Sequence, residues 1–244
     1  MSKFQIFLFA NAGGSVIRFN KLISELSPVC EAIPMELPGR GLRADEPFYS
    51  DMEELIEDMR KTINEKRDNV PFALLGHSFG GTVAYEIARR MYELGEDTPE
   101  ALFIFGERPP FLEGRHHYTD LSEEEFIKTV ISFGGISDII VNNKSAMRYF
   151  ARIIRADMSI AENCEDTLPD DPLPSDIYVF GGNRDITVTY DELTQWRKCT
   201  TGKLSMKMFE GDHFFIDDNS AEISSMISNS AFSCLNNIHS VSSR

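Results

Sequence analysis

Six short apolar runs punctuate the chain, and each is followed by a segment of helical period. The runs are Phe4–Ala10, Val29–Leu37, Phe72–Gly76, Leu102–Gly106, Ile177–Gly181 and Leu204–Phe209. Most are apolar at both alternations, as strands are when both faces of their sheet are covered. Between them Phe19, Leu22, Ile23 and Leu26 recur at helical spacing, as do Met52, Leu55, Ile56, Met59 and Ile63, and then Val83, Tyr85, Ile87, Ala88 and Met91. Strand–helix alternation of this kind predicts a mainly parallel, doubly wound α/β sheet. At 244 residues the chain is long enough to bury one large core, and no Pro/Gly/Ser-rich linker divides it, so one domain over 1–244 is expected.

One connection is too long. About 70 residues separate Gly106 from Ile177, far more than an α/β crossover needs. Ser122 and Glu125 have capping-box spacing, and Phe126, Val130 and Ile131 follow on one face. Gly134-Gly135 ends that helix, and Met147, Phe150, Ala151, Ile154 and Met158 mark a second. The segment 115–165 is therefore expected to be a folded helical insertion. It sits as a lid over a site at the carboxyl ends of the strands, or as extra packing on the sheet. After Asp217 a Ser- and Asn-rich tail with an apolar face (Ile223, Met226, Ile227, Phe232, Leu235) is expected to form a last helix that frays toward Arg244.

The formal net charge of −15 argues against nucleic acid and anionic membranes as partners. Phe4–Phe9 followed by Ala10-Asn11-Ala12 mimics a secretory signal, but a mainly apolar run of six residues is shorter than the roughly 7–15 of such a segment, and a buried first strand fits better. No run approaches the ~20 apolar residues of a membrane span. Cys30, Cys164, Cys199 and Cys234 have no metal-ligand spacing and are expected to be reduced, in a cytoplasmic protein without metal or other cofactor.

The chemistry concentrates at Gly76-His77-Ser78-Phe79-Gly80, which fits G-x-S-x-G. The pattern alone is weak. Here it follows a strand and opens a helix, the context that lifts a serine hydroxyl out of the packed layer as a nucleophile. Such a serine needs a base, and the base needs an orienting group. Of the five histidines, His116 and His117 fall in the insertion, His77 in the elbow cannot easily turn back on Ser78, and His239 lies in the tail. His213 follows the last strand, where the base of this fold belongs. Asp185, just past the strand at Ile177–Gly181, is the acid. Asp191 and Glu192 fit a helix start better, and Asp176 precedes its strand. Asp212, beside the base, is a surface charge or a neighbour that raises its pKa. For the oxyanion, the backbone N–H of Phe79 and that of Ala12 in the small-residue loop Phe9–Ser15 are the candidate donors, with Asn11 beside them. A helix-capping glycine turn is compatible with that role.

Taken together these motifs resemble the stand-alone type II thioesterases of nonribosomal peptide and polyketide synthesis, which are α/β-hydrolases. The resemblance spans nearly the whole chain. It rests on Phe9–Ser15, on Glu36–Gly41 with Arg43 and Glu46-Pro47, and on Gly76–Gly80, Pro109-Pro110, Leu121–Gly135, Ile154–Asp157, Gly181–Asp185 and Gly211–Phe215. It implies hydrolysis of acyl or aminoacyl thioesters from the phosphopantetheine arm of an acyl or peptidyl carrier protein. Ser78 is then the nucleophile, His213 the base, Asp185 its orienter and 115–165 a mobile lid. Arg40 or Arg43 would meet the arm's phosphate or acidic carrier residues, or serve only a structural turn. A carboxylesterase with the same triad, a non-catalytic scaffold and an acyl transferase are the competing readings. A monomer is expected.

Overall fold

The computed structural model describes residues 3–114, 116–164 and 170–242, with side chains to residue 237. Six parallel strands form one sheet in the order β2-β1-β3-β4-β5-β6. They are β1 (Phe4–Phe9), β2 (Cys30–Pro34), β3 (Phe72–His77), β4 (Ala101–Phe105), β5 (Asp176–Gly182) and β6 (Leu204–Phe209). All six expected strands are present. β2 is five residues rather than nine, because Met35 and Leu37 leave the edge of the sheet to pack beneath the helices. Asp176, expected ahead of its strand, is the first residue of β5, at the opposite end from Gly182.

Alternation within the strands decides the two cores. Phe7, Leu74, Leu102, Ile104, Ile177 and Val179 point to one face and meet α2 (Met52–Lys66) and α3 (Phe79–Glu93). Ile6, Leu8, Ala73, Leu75, Phe103 and Phe180 point to the other and meet α1 (Asn20–Glu25) and α8 (Ile216–Ser242). The five apolar residues of the α2 stripe are all buried, each contributing about 1.5–3 kcal/mol of transfer free energy.

Between β4 and β5 lie α4 (Glu123–Ser132), α5 (Asp138–Val141) and α6 (Lys144–Glu162), with α7 (Tyr190–Thr194) after β5. The capping box of Ser122 and Glu125 forms as read, and a second, Thr189 with Glu192, starts α7. The expected limits of the insertion, 115 and 165, lie outside the described residues, as do Arg244 and the side chain of His239. α5 has no counterpart in the sequence reading, since four residues are too few to show a period. Phe126, Val130, Met147, Ala151 and Ile154 form a cluster of their own, joined to the sheet through Ala12. Among the described residues no helix is long and apolar enough to cross a membrane.

Candidate active site

The chain reverses its winding direction between β1 and β3, which are neighbours in the sheet. Ligands of such sheets bind at that switch point, beyond the carboxyl ends of the strands. The loop after β1 carries Asn11–Ser15, and the turn after β3 carries Ser78.

Ser78 has φ 51° and ψ −126°, backbone angles that a side-chain-bearing residue adopts only when its surroundings impose them. They do so here. The Ser78 N–H donates to the Phe105 carbonyl (2.8 Å), and the Gly81 N–H donates to the Ser78 carbonyl (2.6 Å). A Cβ on Gly80 would stand 2.3 Å from the Phe9 carbonyl oxygen, so glycine alone lets the start of α3 lie on the end of β1. That contact brings the Phe79 amide, which as the first residue of α3 has no acceptor within the helix, toward the loop that holds Ala12.

His213 and Asp185 meet from the loops after β6 and β5. His213 Nδ1 lies 2.7 Å from Asp185 Oδ2. A carboxylate only accepts, so Nδ1 carries the proton and Nε2 is left bare, as a base requires. The Thr187 hydroxyl donates to Asp185 Oδ1 (2.6 Å) and lies 2.9 Å from His213 Nδ1, and the Thr187 N–H also donates to Oδ1 (2.8 Å). Burial pushes the Asp185 carboxyl up, but the bonds from His213 and Thr187 outweigh it and hold it below the ordinary value. Ser78 and His213 line one cavity of about 440 Å³, within the range of ~300–1,000 Å³ typical of small-ligand sites. Phe79, Ala12 and Asn11 also line it. Val130, Phe133, Ile136, Ile140 and Met158 of the β4–β5 segment give it an apolar roof.

The other groups singled out in the sequence are engaged elsewhere in the protein. His77 does not turn toward Ser78. It is fully buried and donates Nε2–H to the His213 carbonyl (2.8 Å), its ring 4.9 Å from that of His213. No local pattern reveals a partner 136 residues away. Asp212 caps its own turn, accepting from the Phe214 N–H (2.8 Å). Arg40 and Arg43, considered for phosphate or carrier contact, are both engaged within the protein. Arg40 pairs with Asp157 (2.5 Å), and Arg43 with Glu46 (2.5 Å) and Asp58 (3.0 Å). Gly134 and Gly135 have φ of 84° and 74°, and Gly135 lies flat against the Phe214 ring beside His213. Thr187 had a local signal that was missed: Asp-x-Thr is the Asx-turn pattern.

A parallel sheet with a serine elbow after β3 and an Asp–His pair from its last two strands defines an α/β-hydrolase. The family model of the thioesterase domain matches residues 4–231, and the chain belongs to that family. It is 30% identical to the gramicidin S biosynthesis protein GrsT of Aneurinibacillus migulanus, over 91% of this chain and 86% of that protein. Among solved structures, ClbQ from the colibactin NRPS/PKS pathway superposes with a TM-score of 0.89 at 29% identity, covering 95% of this chain and 98% of that one. The type II thioesterase BorB from the borrelidin biosynthetic cluster superposes at 0.83 with 27% identity, covering 94% and 93%. The chain is thus a thioester hydrolase, and the resemblance read from its motifs holds.

Proposed function

We propose that this protein hydrolyses acyl or aminoacyl thioesters carried on the phosphopantetheine arm of carrier proteins in a nonribosomal peptide or polyketide pathway, with Ser78, His213 and Asp185 as its triad. The observation that carries the assignment is that an elbow serine lines the same largely apolar cavity as a histidine whose Nδ1–H is held by a buried carboxylate. His213 Nε2 takes the Ser78 proton as Oγ attacks the thioester carbonyl. The oxyanion rests on the N–H groups of Phe79 and Ala12, and α3 adds the positive end of its dipole. The C–S bond breaks and the thiol leaves with the proton from His213. Water, deprotonated by His213, then attacks the acyl-serine, the acid departs, and Ser78 regains its proton. The acyl group lies under α4, α5 and α6, which act as a lid over a one-domain hydrolase. Fixed protein groups perform every step, so no cofactor or metal is needed. The arm belongs to the substrate. The enzyme works as a monomer in the cytoplasm, where synthetases and their carrier proteins reside, and takes neither nucleic acid nor membrane as a partner.

Intact mass spectrometry of an acyl-loaded carrier protein tests this. Wild type should remove the acyl mass, and Ser78→Ala should be slower by about 10⁴-fold or more. Cleavage of small esters with no loss of acyl mass from any carrier would leave a plain esterase in its place.

A further inference from the structure

The Pro38-Gly39-Arg40-Gly41 turn takes no part in the double displacement. Even so, Arg40 and Asp157 are both buried, 5% and 4% exposed, and neither belongs to the triad. They meet fork to fork, Nη1 to Oδ2 at 2.5 Å and Nη2 to Oδ1 at 2.6 Å. Arg40 Nε also donates to the Pro38 carbonyl (3.2 Å) and Nη1 to that of Gly14 (3.4 Å). Desolvation offsets most of the attraction in a buried pair, so stability alone does not explain it.

The geometry around the pair does. Asp157 Oδ2 accepts a third bond, from the Gly13 N–H, at 2.7 Å. Gly13, at φ +70°, is the third residue of a turn closed by Gly14 N–H to the Asn11 carbonyl (2.8 Å). One turn earlier in α6, Ile154 fills the space where a Gly13 Cβ would stand. So α6 grips the Asn11–Gly14 turn twice, by a charge-assisted bond and by an apolar contact. The second residue of that turn is Ala12. The Ala12 N–H belongs to the Asn11–Ala12 peptide, whose carbonyl accepts the Gly14 N–H, and Asp157 holds the adjoining Ala12–Gly13 peptide through the Gly13 N–H. With both planes held, the direction of the Ala12 N–H is set.

We propose that Asp157, with Arg40 as its counter-ion, is a positioning residue that holds the Asn11–Gly14 turn so that the Ala12 amide faces the oxyanion. The assignment rests on Ala12 being an oxyanion donor in the reading above. Arg40 has a second task in it. A bare carboxylate one residue from the site of developing negative charge would oppose that charge, and the guanidinium cancels it. Because Asp157 sits on α6, the hole is complete only when the helix that roofs the cavity is seated.

The test uses Asp157→Asn and the double variant Arg40→Gln/Asp157→Asn, which removes both charges and keeps amide partners. A p-nitrophenyl ester and a short acyl-N-acetylcysteamine thioester serve as substrates. An alkyl trifluoromethyl ketone, whose serine adduct carries the oxyanion, serves as ligand. The expected result is a kcat loss of about 10–100-fold in folded protein, less than the ~10²–10³ for deleting a donor outright, with KM changed by no more than about threefold. The ketone Ki should rise by the same factor as kcat falls. Unchanged kcat and Ki in either folded variant would overturn the proposal. So would loss of fold in both, since the pair would then hold the chain together rather than aim a donor. Ser78→Ala is the control for the underlying reading. If it binds the ketone as wild type does, the serine assignment falls and this proposal with it.

Discussion

Asp185 shows competing effects settled at one residue. Its side chain is fully enclosed, and burial alone would favour the neutral acid. Hydrogen bonds from His213 and from the Thr187 side chain and backbone reverse this and keep the carboxylate ionised. Asp185→Asn keeps the shape but presents an amide that can donate to Nδ1, favouring the tautomer with its proton on Nε2. We expect kcat on small esters to fall by about 10³–10⁴-fold while the melting temperature moves by a few degrees. Steady-state kinetics with a thermal melt checks both. His77 is a second residue whose environment decides its state. Burial, then the neighbouring His213 and Arg18, hold its pKa well below the ordinary ~6.5, although the His213 carbonyl and Asp185 oppose the shift. The folded protein therefore keeps His77 neutral, with Nε2–H committed to the backbone of the candidate base.

At the scale of elements, the joint between β1 and α3 sets up the site. Gly76 and Gly80 leave no room for a methyl: a Cβ on Gly76 would lie 2.0 Å from the Gly80 carbonyl oxygen, and one on Gly80 would lie 2.3 Å from that of Phe9. Both clashes are with backbone, which cannot swing aside as a side-chain tip can. Gly80→Ala should cost about 1–3 kcal/mol and, by pushing the Phe79 amide off the end of β1, lower kcat more than it raises KM. Urea denaturation and steady-state kinetics on one preparation would show it. A variant with wild-type kcat would mean that α3 can shift without moving the donor. The strands were the most legible elements in the sequence. Their apolar runs are short and bounded, and parallel strands covered on both faces leave few other readings. α5 and the short β2 were not legible, one too brief for a period and the other shortened because its apolar continuation is drawn beneath the helices.

For the molecule as a whole, the buried neutral His77 ties stability to pH. The unfolded chain binds a proton at this residue near pH ~6.5, and the folded chain does not until well below that. Between those values the unfolded state holds more protons, so stability falls as pH falls. The contribution is fully present above about 6.5. Asp185 acts in the same direction at lower pH: its folded value is depressed, so its contribution is present above the ordinary carboxylate range and is lost as pH drops through the folded value. Guanidinium denaturation at pH 7.5 and 5.5 should show a less stable protein at the lower pH, with a smaller difference in His77→Asn. Equal pH slopes in the two proteins would mean that His77 is protonated in the folded state.

Local periodicity and chain order determined the class of fold, the six strands, the capping box of Ser122 and Glu125 and the choice of Ser78, Asp185 and His213 as candidates, because each of these is written in neighbouring residues or in the known order of loops along such a sheet. Distance along the chain hid the rest. His77 reaches the His213 carbonyl across 136 positions, Arg40 meets Asp157 across 117, and Asp157 meets Gly13 across 144. No pattern of spacing predicts such pairs. They form only when the sheet, the elbow and α6 are assembled, and a buried polar group then has no solvent partner and must take the one that packing brings to it.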